Sequence, residues 1–278
     1  MSTSTSTAKL EEFTRAIWEN YRASGRKLPW RETSNPYEIL VSEVMLQQTQ
    51  VSRVLEKYRE WLVAFPTVQS LAAASLKDVL SAWSGLGYNR RGKWLKECAE
   101  IIVRDFDGQV PRDPEALDAL PGIGPYTARA VSTFAFGLPQ VFIETNIRRV
   151  YIHFFFNERE ASGPVADAEL LPLIEKTLDR DRPRDWYYAL MDYGADLPKY
   201  VKNPNRKSAS YALQSPLKGS RREARGAILR ALKSSAKTMA ALERESGIEP
   251  ARLSAAAADL CAEGFIEYRA GRWRVREG

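Results

Sequence analysis

The chain has 278 residues, room for two or three compact units, and 44% of them are hydrophobic, enough for substantial cores. Lysine and arginine number 41 against 35 acids, a formal charge of +6 that favours a polyanionic partner. Two cysteines, Cys98 and Cys261, exclude a disulfide framework and a cysteine metal site; without a signal-peptide pattern or an apolar run of about 18 residues, a cytoplasmic protein with no membrane partner is expected.

Residues 1–8, opened by a Ser/Thr tract, are expected to form a disordered tail. From there to residue 23, Leu10, Phe13, Ile17, Trp18 and Tyr21 share one helical face. Arg26 to Arg31 reads as a basic, aromatic loop. Asn35-Pro36 opens the next helix, with Asn as cap and Pro in the first turn, and this helix carries Glu43 among apolar neighbours. Gln47-Gln48-Thr49-Gln50 breaks it, and a helix through Val51, Val54, Tyr58 and Trp61 ends before Pro66. Helices follow over 68–74, 76–84, 90–106, 114–119, 126–136, 147–155, 166–178 and 184–195. Gly/Pro turns such as Gly85-Leu86-Gly87-Tyr88-Asn89 punctuate them, and no alternating strand pattern precedes residue 264. The first 200 residues therefore read as an all-helical globule. His153, beside three phenylalanines, reads as a packed or interface residue rather than a ligand.

Residues 199–230 hold nine Lys/Arg against one acid, Glu223, and read as a basic linker, either lying along a phosphate backbone or merely solvated. Beyond it come three short helices from residue 224 and two strands split by Ala270-Gly271. This is the pattern of a winged helix, a module that contacts either DNA or protein.

The most informative stretch is 118–146. Gly122 and Gly124 flank Ile123 between two helical patterns, a hairpin turn whose backbone, with the helix start after Pro125, can approach a phosphate; an ordinary helical hairpin shares the pattern. Twenty residues past Gly124, Glu144 follows the apolar Val141, Phe142 and Ile143. A phosphate clamp followed by a placed acid suggests chemistry on a nucleic acid.

Leu28-Pro29-Trp30-Arg31, the run Ser42 to Gln50, Gly85 to Tyr88, Leu120 to Gly124 and Glu144-Thr145-Asn146 occur in one order. Together they resemble the helix-hairpin-helix DNA glycosylases and, within them, the adenine glycosylases of the MutY type, over residues 9–215. The resemblance implies an all-α two-lobed fold, lobe A at about 33–139 and lobe B at about 9–32 plus 140–215, with the active site in the cleft. Residues 216–278 then form the linker and a small α+β winged helix, expected to be dispensable for bond cleavage. By the resemblance Glu43 protonates the purine and Glu144 faces the sugar, with Tyr126 and Asn146 completing the catalytic set. Gln48 wedges into the stack, Tyr88 intercalates near the opposite base, and Gln47, Gly122, Ile123, Gly124 and Thr127 join them on DNA. Arg26, Trp30, Arg31, Leu46, Val51 and Tyr188 match base-pocket positions, and the carbonyls of Asp118, Leu120 and Ile123 match a site for K⁺ or Na⁺, with no side-chain metal ligand.

The chemistry needs these residue types. Adenine leaves readily only when protonated, which calls for a carboxylic acid shielded by apolar neighbours, and the oxocarbenium-like sugar needs a carboxylate nearby. Tyr126 cannot form the Schiff base that a lysine forms in relatives such as endonuclease III, so base release without strand cleavage is expected. Three departures stand out. Glu144 occupies a position that is usually Asp; Pro198, Asn205, Ser208 and Gln214 stand where iron–sulfur cysteines are usual, so no 4Fe-4S cluster is expected; and the usual domain that reads 8-oxoguanine is replaced by the winged module. The expected function is a monomeric, monofunctional DNA N-glycosylase of base excision repair acting on double-stranded DNA. Its expected substrate is adenine paired with guanine or 8-oxoguanine. The alternatives are a mismatch uracil/thymine or altered-purine glycosylase, and a non-catalytic DNA-binding protein.

Overall fold

The computed structural model describes residues 6–158, 163–213 and 215–276. Helix begins earlier than the expected tail allows: Ser6 caps α1 (Thr7–Ser24) by accepting from the Lys9 amide, and residues 1–5 lie outside the described ones. Asn35 opens α2 (Pro36–Leu46) by accepting from the Tyr37 amide at 3.0 Å. Then come α3 (Val51–Ala64), α4 (Val68–Ala73), started by reciprocal Thr67–Ser70 bonds, and α5 (Leu76–Ala82), capped by Ser75. Next are α6 (Arg90–Asp105), α7 (Pro114–Asp118) and α8 (Pro125–Phe136), the last closed by Gly137 at φ +68°. Glu144 caps α9 (Thr145–Phe155), which therefore starts two residues before the expected 147. The main body ends with α10 (Asp167–Thr177) and α11 (Pro183–Asp196).

In the C-terminal module α12 (Arg221–Leu232), α13 (Met239–Ser246) and α14 (Pro250–Ala262) precede the antiparallel pair β1 (Ile266–Arg269) and β2 (Arg272–Val275), in which Ile266 faces Val275. This is the expected three-helix-and-wing order. The basic linker is shorter than expected, because Ser220 caps α12 and makes Arg221, Arg222, Arg225 and Arg230 helical. No described helix is long and apolar enough to cross a membrane.

Contacts group the described residues into two compact units. The first comprises 1–39, 112–118 and 123–213, with a core that includes Phe13, Ile17, Phe134, Phe142, Tyr151 and Trp186. In it α11 crosses α9 so closely that a Cβ on Gly194 would lie 2.3 Å from the Asn146 carbonyl oxygen. The second comprises 40–111, 119–122 and 214–278. Here Trp61 meets Trp83 edge-on at 5.5 Å, and Leu76 and Leu80 of α5 share one core with Ile228, Leu232, Leu260 and Phe265 of the C-terminal module. The grouping differs from the division expected at 139 and 216. Ala130 and Phe134 bring α8 into the first unit, and the shared core brings 216–276 into the second.

Candidate active site

Glu43 belongs to the second unit. It lies on α2, only 6% exposed, in a run in which Leu40, Val41, Ser42, Val44 and Met45 are all buried as well. Leu46, the last residue of α2, and Val51, the first of α3, are partly buried. The intervening break is held by an arginine that sequence reading did not single out. Arg91 is 5% exposed, and its guanidinium donates to the carbonyls of Val44, Met45, Gln47, Leu86 and Gly87 and to the Thr49 hydroxyl. Burial lowers its pKa to about 10, so it stays a cation at neutral pH. One side chain thus ties the segment that carries Gln47 and Gln48 to the segment that carries Tyr88. Both expected wedge residues sit in left-handed backbone, Gln48 at φ +54° and Tyr88 at φ +46°, the kind of strain that a surrounding structure must enforce.

The hairpin turn is built on Trp94. Gly122 has φ +74°, and a Cβ there would lie 2.8 Å from the Trp94 Cβ, so both conformation and space demand glycine. Gln47 Nε2 donates to the Gly122 carbonyl at a long 3.5 Å. At Gly124 a Cβ would meet nothing within 4 Å, and no side chain caps α8 there, so the start of that helix is open to an anion. Ile123 and Thr127 are buried.

Glu144 belongs to the first unit. Its side chain folds back on its own helix: Oε1 accepts from the amides of Asn146 (2.7 Å) and Ile147 (2.8 Å), and Oε2 from Asn146 Nδ2 (3.3 Å). Burial pushes this carboxyl above its ordinary value, opposed by the two amides and by Arg149 and Arg148. Arg149, also missed in the sequence, donates to Asn146 Oδ1 at 2.9 Å and to the Gly194 carbonyl. Tyr126, in the first turn of α8, packs edge-on to Phe142 with ring centroids 5.7 Å apart.

Two of the expected pocket residues, Arg26 and Arg31, share one acid of this unit. Arg31 grips Asp192 with two bonds of 2.8 Å, and Arg26 adds its amide at 2.9 Å and Nε at 2.6 Å. Burial alone would raise the Asp192 carboxyl; Arg31, with help from Arg26, holds it below the usual carboxylate value. Tyr188 is buried between the Phe134 ring, stacked at 4.6 Å, and the Arg31 guanidinium at 4.3 Å, and Trp30 is 3% exposed. Asp192 was legible in principle, as a lone acid in the apolar run from Trp186 to Tyr193.

Around residues 198–208 the donors do not fit a thiolate-bound cluster. Pro198 lies in a single short turn, Asn205 donates to the Thr145 carbonyl at 2.9 Å, and Ser208 Oγ accepts from the Ser210 amide at 3.0 Å; Gln214 lies outside the described residues. The loop is fastened instead by backbone bonds of Val165 to Lys207 (2.7 Å) and of Ala209 to Val165 (2.9 Å). His153 is half-buried and edge-on to Phe154, and desolvation lowers its pKa. Among the described residues no group of three or more His, Cys, Asp or Glu is placed to hold a metal ion.

The family described as HhH-GPD superfamily base excision DNA repair protein matches residues 41–176. An adenine DNA glycosylase of Mycobacterium tuberculosis (strain H37Rv) is 43% identical over 176 residues, which are 63% of this chain and 58% of that protein, so the chain matches less than two thirds of its length. An adenine DNA glycosylase of Mycolicibacterium smegmatis is 35% identical over 275 residues, covering 92% of this chain and 93% of the relative. Among solved structures, a thermostable thymine-DNA glycosylase superimposes with a TM-score of 0.63 at 28% identity, over 73% of this chain and 93% of the other.

Proposed function

The chain belongs to the HhH-GPD superfamily of base excision DNA repair proteins, and we propose that it is a monofunctional DNA N-glycosylase that releases mispaired adenine from duplex DNA. The observation that carries this reading is Glu43: a carboxyl buried at 6% exposure on a helix of apolar residues, in the unit that also holds the strained Gln48 and Tyr88. A general acid so placed can protonate a purine ring nitrogen, so that the base departs neutral. Glu144, held by two backbone amides, supplies a fixed negative charge for the sugar as positive charge develops on it. Tyr126 offers no amine, so the product is an abasic site.

Extruding the base costs a few kcal/mol, which Gln48 and Tyr88 offset by filling the vacated stack. The open start of α8 at Gly124 takes a backbone phosphate.

Replacing Glu43 by Gln removes only the proton. Single-turnover base release should fall by about 10²–10⁴-fold with duplex affinity retained; a near-parental rate would remove Glu43 from the mechanism. A thymine-releasing activity is the second reading, favoured by the similarity to the thymine-DNA glycosylase structure. A duplex panel with adenine, thymine or uracil in each mispair, followed by alkali cleavage of abasic sites, separates the two.

A further inference from the structure

The second unit contains a pocket of about 520 Å³ to which the mechanism above assigns no ligand. Gln48, Tyr88 and Trp94 line it on one side and the first turn of α12 on the other. Most of its arginines are already matched. Arg221 pairs with Asp259, Arg90 and Arg225 both pair with Glu263, and Arg91 is enclosed by carbonyls. Arg222 differs. Among the described residues it has no acid partner, unlike Arg90, Arg221 and Arg225, and it has fewer acceptors than the buried Arg91: only the Tyr88 hydroxyl at 2.8 Å and the Ser215 carbonyl and hydroxyl. Its guanidinium also lies 5.2 Å from the Tyr88 ring centroid. With five N–H groups, Arg222 has donors to spare.

A cavity of this size with aromatic walls and a planar cation that keeps donors to spare suits a nucleobase that presents two adjacent acceptors. Removal of one base from a pair leaves its partner stranded in the duplex. We propose that Arg222, supplied by the C-terminal module, is the specificity residue for that partner: it positions Tyr88 and reads the O6/N7 edge of a purine held in this pocket. The proposal rests on the reading of the chain as a glycosylase of mispaired adenine.

The test uses the full chain and duplexes carrying uncleavable 2′-fluoro-deoxyadenosine opposite dG or 7-deaza-dG, the latter lacking the N7 acceptor, over a range of salt. The parent should bind the dG duplex about 10-fold more tightly than the 7-deaza duplex. Arg222→Lys keeps the charge but loses the fork; it should bring that ratio to about one with the salt dependence unchanged. Tyr88→Phe removes a single hydroxyl and should shrink the ratio in the same direction, with the double variant no worse than Arg222→Lys alone. Equal binding of both duplexes by the parent overturns the proposal. So does an Arg222→Ala variant that loses affinity equally for both, with a salt slope smaller by about one, since that marks a phosphate contact. Release of no base by the parent on cleavable adenine duplexes would sink the glycosylase reading, whereas release with no dG preference sinks only this inference.

Discussion

Glu144 does two jobs with one carboxylate. It caps α9, and the bonds that make it a cap fix the direction in which its charge points. The extra methylene relative to Asp therefore does not leave the group loose, because the side chain still curls back onto the amides of its own helix. Burial, opposed by those amides and by Arg149, raises the carboxyl above its ordinary 4.5. In the proposed reaction the group can stabilise a cationic sugar only when ionised. The single-turnover rate should therefore already be declining on the acid side at pH values above 4.5, before an ordinary glutamate would protonate. Full rate maintained down to pH 4.5 would show that Glu144 is not required as an anion. Glu144→Gln keeps an acceptor but no charge, and should lower the rate by at least about 10²-fold at pH 7.

At the scale of elements, the placement of Glu144 and Asn146 depends on α11 as much as on α9. Gly194 is the point of closest approach, and a methyl group there would lie 2.3 Å from the Asn146 carbonyl oxygen, a backbone atom with nowhere cheap to move. Gly194→Ala should push the first turn of α9 away and lower base release by about 10²-fold, in line with a displacement of about 1 Å at a reacting group. Crystallography of the variant and its single-turnover rate check this; an unshifted α9 with a parental rate would mean that the contact is not limiting. Most helices were legible because caps and periodicity agree locally, as at Asn35-Pro36 and Thr67–Ser70. The start of α9 was missed by two residues because Glu is an unusual cap. The start of α12 was missed because Ser220, the cap that accepts from the Glu223 amide, was submerged in basic residues. The short turns at 29–31, 197–199 and 204–207 carry no period to read. Glu43, Gln48, Tyr88 and Glu144 were nameable from motifs, but Arg91 was not, since most of its partners are carbonyls that any residue would supply.

At the scale of the whole molecule, the C-terminal module is not an appendage of the second unit, and its expected dispensability for bond cleavage has to be weighed against the core that it shares with α5. Cutting after Ser220 would uncover Leu76 and Leu80 of α5, which share its core, a loss of about 3–6 kcal/mol at the usual value for two buried aliphatic side chains. It would also remove Glu263, the acid that joins Arg90 of α6 to Arg225 of α12 and whose carbonyl accepts from Lys93 at 2.9 Å. Hydrogen bonding from Arg90, opposed by partial burial and reinforced by Arg225, lowers the Glu263 carboxyl from 4.5 to about 2. A carboxylate whose folded value is depressed stabilises the fold above its unfolded value. That stability is lost as pH falls through the interval from 4.5 to about 2. Because Arg90 is 53% exposed, solvent screens the pair, and the contribution is about 1–2 kcal/mol rather than the full shift. Urea midpoints of the parent and of Glu263→Gln should therefore differ at pH 7, with the parent higher, and converge as pH approaches 2. A gap that persists unchanged at low pH would mean that Glu263 acts through packing rather than charge. No gap at pH 7 would mean that the link between α6 and α12 does not bear on stability.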